Sequence, residues 1–338
     1  VRLDFIRPLY ERRGPYASVY TGALTERDRE SRWHAVRDRL GTAADPDTVK
    51  VLESYARRPG AGEAVFATHG DVVLAEPLAE PPPSELAVWS PLPRVTPLLM
   101  ARGENVPHLR VIVDHAGAEV TVFGGGSPRT AVVEAQDWPL QKTAQGGWSQ
   151  RRYESAVEDT WEKNAAAVAR EVDEQVRRIG AELVLVAGEP RSRAMLTDHL
   201  GTKTSDRVVM VEHGSRSDHG TFERDVEEAL DAWLEERRAE LLDRHREASG
   251  PTGKAQVFQA LREGRVHAVL SPGELPDEVW IGEGGTQVST DAGELRLWGV
   301  EEPVRERADS ALARAAAMTD AELWFTDKVS EVAAVIRY

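Results

Sequence analysis

Apolar residues recur at spacings of three and four between positions 153 and 179: Tyr153, Val157, Trp161, Ala165, Val168, Val172, Val176 and Ile179. Such a stripe predicts one long helix with a single core-facing side, and Gly180 just beyond it supplies a C-terminal cap. The period then changes. Leu183-Val184-Leu185-Val186-Ala187-Gly188 is almost wholly apolar, as expected of a strand covered on both faces of a sheet. A helix over 192–200 and a strand at Val208-Val209-Met210-Val211 follow. Ahead of the long helix, Leu109-Arg110-Val111-Ile112-Val113 and Glu119-Val120-Thr121-Val122-Phe123 read as two paired strands around a turn at His115-Ala116-Gly117. These elements describe an α/β domain.

The flanking segments repeat the same mixture. Near the start, Tyr16-Ala17-Ser18-Val19-Tyr20 is strand-like, 26–40 is a charged amphipathic helix, and 62–74 alternates like a hairpin turning at Gly70. Pro77, Pro81, Pro82, Pro83, Pro91, Pro93, Pro97 and Pro107 then crowd one stretch. Proline lacks an amide donor and fixes φ, so this stretch is a poor helix or central strand, and a boundary is expected near residue 104. Beyond Gly220 the helical pattern restarts with Phe222, Val226, Leu230, Trp233, Leu234, Leu241 and Leu242. A short helix from Gly253 to Leu261 stopped by Gly264, a strand over 266–270, a helix over 303–317 and a final strand over 331–338 complete the pattern. The expectation is an α/β protein of three domains, 1–104, 105–220 and 221–338.

Composition narrows the chemistry. With 338 residues, 41% hydrophobic and 29% charged, the chain supports ordinary globular cores. Its 42 basic against 57 acidic residues give a net charge of −15, which argues against broad binding to naked nucleic acid, so any RNA contact must be local. The absence of cysteine removes disulfides, cysteine nucleophiles, zinc knuckles and iron–sulfur clusters. No apolar run approaches the roughly 20 residues of a spanning helix, and the first residues lack a signal-peptide core. No membrane partner and a cytoplasmic location are expected. No cofactor is expected either: Gly124-Gly125-Gly126-Ser127 lacks the lysine and spacing of a phosphate loop, Gly282-Glu283-Gly284-Gly285 reads as a turn, and no Gly-x-Ser-x-Gly elbow occurs. His213, Asp218 and His219 match no metal-site spacing, so no metal is assigned.

The informative stretch is Lys142-Thr143-Ala144-Gln145-Gly146-Gly147-Trp148-Ser149-Gln150-Arg151-Arg152-Tyr153-Glu154. Glycines allow close backbone approach, Gln150 offers a donor and an acceptor that can orient a water, and Arg151 and Arg152 supply guanidiniums for phosphate. Chemistry alone also allows a plainer reading, in which the glycines start the helix, Ser149 caps it and the arginines are solvated. Trp148 in a polar loop can stack on a nucleotide or pin the loop to its own domain.

This run resembles the loop of the middle domain of archaeal and eukaryotic peptide-chain release factors and Pelota, where a Gly-Gly-Gln tip precedes basic residues, an aromatic and a long helix. Here Trp148 follows the two glycines. A second frame, Gly147-Trp148-Ser149-Gln150, is similar to the Gly-x-x-Gln form of the related eukaryotic peptidyl-tRNA hydrolase that clears stalled ribosomes. The resemblance implies a ribonuclease-H-like middle domain without that fold's metal chemistry. Residues 253–270 resemble the third domain of the same proteins, which implies an α/β/α fold shared with a ribosomal protein that binds kinked RNA. Residues 1–104 lack the stop-codon-reading motifs and form a divergent N-terminal domain. The pattern is similar to the bacterial branch that includes the hibernation factor Balon.

What the resemblance implies is a ribosome-associated protein whose partners are the ribosome, peptidyl-tRNA and rRNA, with an elongation-factor-type GTPase as a further candidate. In one reading it hydrolyses peptidyl-tRNA at stalled ribosomes, with Gln150 orienting the water and Gly146 and Gly147 allowing the approach. Arg151, Arg152, Lys142 and Trp148 would then contact RNA. In the other reading it is a non-catalytic hibernation or rescue factor that occupies the A site.

Overall fold

A computed structural model describes residues 2–23, 26–58, 62–78, 80–82, 84–103, 106–114, 117–124, 129–134, 147–212 and 220–337. The chain divides into two compact units, one of residues 105–236 and one that joins residues 1–104 to 237–338.

The N-terminal part of the joined unit runs α1 (Pro8–Glu11), β1 (Tyr16–Thr21), α2 (Arg29–Leu40), α3 (Pro46–Ala56), β2 (Glu63–Thr68), β3 (Asp71–Pro77), β4 (Leu86–Ser90) and α4 (Thr96–Arg102). Its antiparallel sheet has the order β3-β2-β1-β4. Strand periodicity assigns the faces. Ala17, Val19, Val65 and Ala67 point to a core capped by Trp33, Val36 and Leu52 of α2 and α3, while Tyr16, Tyr20, Ala64 and Phe66 point the other way. Helix α3, absent from the sequence pattern, starts at Asp45, whose carboxylate accepts from Thr48 N at 3.0 Å. Thr48 Oγ1 in turn accepts from Gly70 N at 2.8 Å, which ties the β2–β3 turn to the helix.

The proline-rich stretch holds two elements that the composition argued against. Strand β4 fits there because it lies at the sheet edge and contains no proline itself. Helix α4 fits because Pro97 occupies its first turn, where a missing amide leaves no helical bond unmade.

The second unit contains β5 (His108–Asp114), β6 (Gly117–Phe123), β7 (Arg129–Glu134), α5 (Gly147–Ile179), β8 (Leu183–Gly188), α6 (Pro190–His199), α7 (Thr202–Ser205) and β9 (Val208–Met210), followed by the first part of α8 (Gly220–Glu247). The sheet order is β7-β6-β5-β8-β9, antiparallel through β7, β6 and β5 and parallel through β5, β8 and β9. That is the ribonuclease-H-like order. The apolar run of β8 is explained by its central position. Val184 and Val186 join a core under α5 and α6, whereas Leu183, Leu185 and Ala187 join one closed by Phe222 and Val226 of α8. Gly180 adopts φ +61° beyond α5, as its capping role requires. Strand β7 was not legible in the sequence.

The joined unit resumes with the rest of α8, then α9 (Lys254–Arg262), β10 (Val266–Ser271), β11 (Glu278–Ile281), β12 (Val288–Ser289), α10 (Ala292–Leu297), β13 (Val304–Arg307), α11 (Ala308–Met318), β14 (Glu322–Phe325) and β15 (Ala333–Ile336). Two three-stranded sheets form, β14-β10-β15 and β12-β11-β13. The helix expected over 303–317 is corrected to strand β13 followed by α11. Val304-Arg305-Glu306-Arg307 pairs with β11, and no apolar alternation marks it because the residue it buries is the charged Glu306 while Val304 is exposed. Leu9, Tyr16, Phe66 and Leu99 share one apolar core with Phe258, Leu261, Leu312 and Leu323, so the first and last segments are welded within this unit. Among the described residues no helix is long and apolar enough to cross a membrane, and no group of three or more His, Cys, Asp or Glu is placed to hold a metal.

Candidate functional site

The candidate loop leads into α5, and α5 is anchored from its middle onward. Ala165, Val168, Ala169, Val172 and Val176 are buried, most of them in the core beneath β5 and β6. Trp161 is half-buried with the Arg191 guanidinium 5.0 Å from its ring centroid. Between Trp161, Asn164, Ser192, Met195 and the end of β5 lies a void of only ≈ 10 Å³. That is about the space of one water, too small for a metabolite. The sheet end is therefore an anchor for the helix.

From Trp161 the helix continues towards the N-terminus for fourteen residues, which at 1.5 Å each is about 20 Å. Gly147, Trp148, Gln150, Arg151 and Arg152 all fall within the first two turns of α5; the structure describes side chains of this helix from Thr160 onward. Lys142 and Gly146 lie outside the described residues, as do His213, Asp218 and His219. Ser149 is the third residue of the helix rather than its cap. The helix also begins earlier than the apolar stripe predicts, because the stripe reports only burial, and the turn before Tyr153 need not be buried to be helical.

Two glycines, one in each unit, hold positive φ where the backbone requires it. Gly188, at the end of β8, has φ +118°, and a Cβ there would stand 1.9 Å from Val113 O. Only glycine lets β8 close against β5 at the ends from which α5 is supported. In the last segment Gly253, φ +81°, precedes α9, and its amide donates to Val332 O at 2.8 Å. Lys254 follows, paired with Asp277 at 2.5 Å.

On the sheet face towards α8, His108 stacks on its cross-strand partner Phe123, centroids 4.6 Å apart. Arg110 lies over the same ring at 4.0 Å, donates its Nε–H to His108 Nε2 at 3.2 Å, and pairs with Glu223 of α8. His108 Nδ1–H therefore donates to Val106 O, 2.9 Å away, and the ring is neutral. Burial, ahead of the field of Arg110, holds the His108 pKa below its ordinary value of 6.5. A depressed histidine stabilises the fold fully above 6.5 and loses that contribution as pH falls from there through the folded-state value. Thermal melts from pH 7.5 to 5 should show a steeper loss for the native protein than for His108→Gln, which keeps a hydrogen-bonding side chain but does not titrate; equal slopes would contradict this.

Against known proteins, residues 107–251 match the family described as bacterial archaeo-eukaryotic release factor family 2. The uncharacterized protein Rv2629 of Mycobacterium tuberculosis is 30% identical over 368 aligned positions, covering 100% of this chain and 97% of that one. The uncharacterized protein MT2704, from another strain of the species, matches to the same extent. Among solved structures, the archaeal translation termination factor aRF1 aligns over 98% of this chain and 96% of its own at 14% identity, with a TM-score of 0.24. Ribosome-bound archaeal Pelota, determined with ABCE1, aligns over 99% and 94% at 13% identity, with a TM-score of 0.37.

Proposed function

The chain belongs to the bacterial archaeo-eukaryotic release factor family, and from that premise we propose that it works in translation, on the ribosome, by presenting the first turn of α5 to the peptidyl-tRNA ester. One observation carries the proposal: Gly147 to Arg152 open a 33-residue helix whose second half is anchored in the sheet's core through Val168, Ala169, Val172 and Val176. A first helical turn has backbone N–H groups without intrahelical acceptors and a favourable field for anions. Arg151 and Arg152, at the start of the second turn, suit the phosphates of transfer or ribosomal RNA, with Lys142 as a further contact.

In this reading Gln150 orients the attacking water, and Gly146 and Gly147 admit the backbone close to the ester. The RNA surroundings supply most of the stabilisation of the developing oxyanion, so the protein requires no acid–base pair of its own. The proposed organisation keeps a divergent N-terminal domain over 1–104, a middle domain over 105–220 and a C-terminal domain over 221–338, with an elongation-factor-type GTPase as a candidate delivery partner. Trp148 favours a second reading. It stands directly after Gly146 and Gly147, where an indole can stack on a base and block the A site without chemistry.

Release of labelled peptide from ribosomes carrying peptidyl-tRNA separates the two. Catalytic turnover at a rate above ribosomes alone supports hydrolysis; stable binding with no release supports blocking and removes Gln150 from the chemistry.

A further inference from the structure

Helix α11 is buried along most of its length, and among its alanines sits Arg314, only 5% exposed. Burial pulls its pKa down to about 10, which still leaves a cation at neutral pH. Nη1 donates to Gly282 O at 2.9 Å and Nη2 to Gln287 O at 3.0 Å. A guanidinium has five N–H donors, so three of them, Nε–H included, have no acceptor among the described residues.

The field of Glu306 favours the cation, but the neighbouring groups do not accept from those remaining donors. Glu306, 6% exposed, spends its carboxylate on the amides of Leu92 at 2.8 Å and Arg307 at 2.7 Å. Tyr10 is held neutral by burial, and its Oη also has no hydrogen-bond partner among the described residues. Glu283 is paired with Arg13 at 2.9 Å. A buried cation with unmet donors costs several kcal/mol unless an acceptor arrives.

Space for one is adjacent. Arg314 lines a cleft of ≈ 1020 Å³ whose apolar walls include Leu9, Leu92, Ile281 and Val300 and whose mouth carries Arg12 and Arg13. Nε of Arg314 and Oη of Tyr10 are closed to solvent, so an entering group meets the Nη edge. The mouth also carries Glu11, Glu301 and Glu302, all exposed. Those carboxylates repel a polyanion such as an RNA backbone and leave room for a ligand with one anionic group.

We propose that this cleft is a binding site for a small ligand bearing a single carboxylate or phosphate, held by Arg314. The site lies in the joined unit and is independent of the α5 reading.

Calorimetric titration of the full chain with inorganic phosphate and, separately, with acetate tests it. Saturable binding of either anion is expected, and the anion that binds more tightly identifies the chemistry. Arg314→Gln should weaken binding by about ten-fold or more, the effect of losing a charged hydrogen-bond donor. Because that substitution is buried, the rim variant Glu301→Gln/Glu302→Gln gives an independent reading: removing exposed like charges should tighten binding about two- to five-fold. No saturable binding of either anion to the native chain would overturn the proposal, as would binding unmoved by the rim variant or retained at full strength by Arg314→Gln.

Discussion

Gly188→Ala should lower the melting temperature by about 10 °C or more, the largest stability effect expected of a single added methyl group in this protein. The Cβ would lie 1.9 Å from Val113 O and 2.9 Å from Val113 C. These are backbone atoms of the paired strand, in register with Gly188 itself, so no side chain can swing aside. Overpacking and a strained positive φ together cost about 3–5 kcal/mol, a large share of an ordinary domain's stability. Gly264→Ala is the matched control. Gly264 also has positive φ, +68°, but nothing lies within 4 Å of its Cβ position, so only the conformational cost of about 1 kcal/mol remains. Melting curves in which the two variants shift equally would show that the β5–β8 approach is not the constraint.

Gln150→Ala should reduce peptide release by about 100-fold while leaving ribosome affinity within about two-fold, if the first turn of α5 is the hydrolytic element. The magnitude is that of removing one positioned hydrogen-bonding group from an oxyanion or water site. A truncated side chain that only orients water leaves the arginines and the backbone N–H groups of the turn intact, so binding is spared. Trp148→Ala supplies the converse. For a blocking factor it should raise the dissociation rate by about ten-fold or more, the value of one stacked base, and Gln150→Ala should then be silent. Measuring both variants for release and for dissociation separates chemistry from occupancy.

These two sites differ in how far the sequence exposed them. The run from Leu183 to Gly188 gave away a central parallel strand because burial on both faces leaves no polar position. The long helix was legible from Tyr153 onward for the same physical reason, and its earlier start at Gly147 was not, since nothing there follows a burial period. Residues 304–307 were read as helix because no apolar alternation marks this edge strand, whose buried residue is the charged Glu306. The weld between the first and last segments was also invisible: Phe66 and Phe258 are each apolar in their own element, and no periodicity says that they share a core. Gln150, Gly146, Gly147, Trp148, Arg151, Arg152 and Lys142 stood out only through resemblance to a family loop; by residue chemistry alone they are an ordinary polar turn. Arg314 shows the opposite case. A lone arginine among alanines reads as a solvated helix position, and only the structure reveals it to be buried beside a cleft.

The charge balance makes ribosome binding the point at which the functional account is most exposed. With a net charge of −15, the chain gains nothing from non-specific attraction to RNA, and any affinity must come from a local contact. The most direct test is co-sedimentation of the purified protein with bacterial ribosomes over a salt series. The account predicts co-pelleting that weakens with salt, with the slope reduced by about two in Arg151→Ala/Arg152→Ala, one for each phosphate contact removed. Failure to co-pellet with ribosomes in any state, empty, tRNA-loaded or stalled, would contradict it.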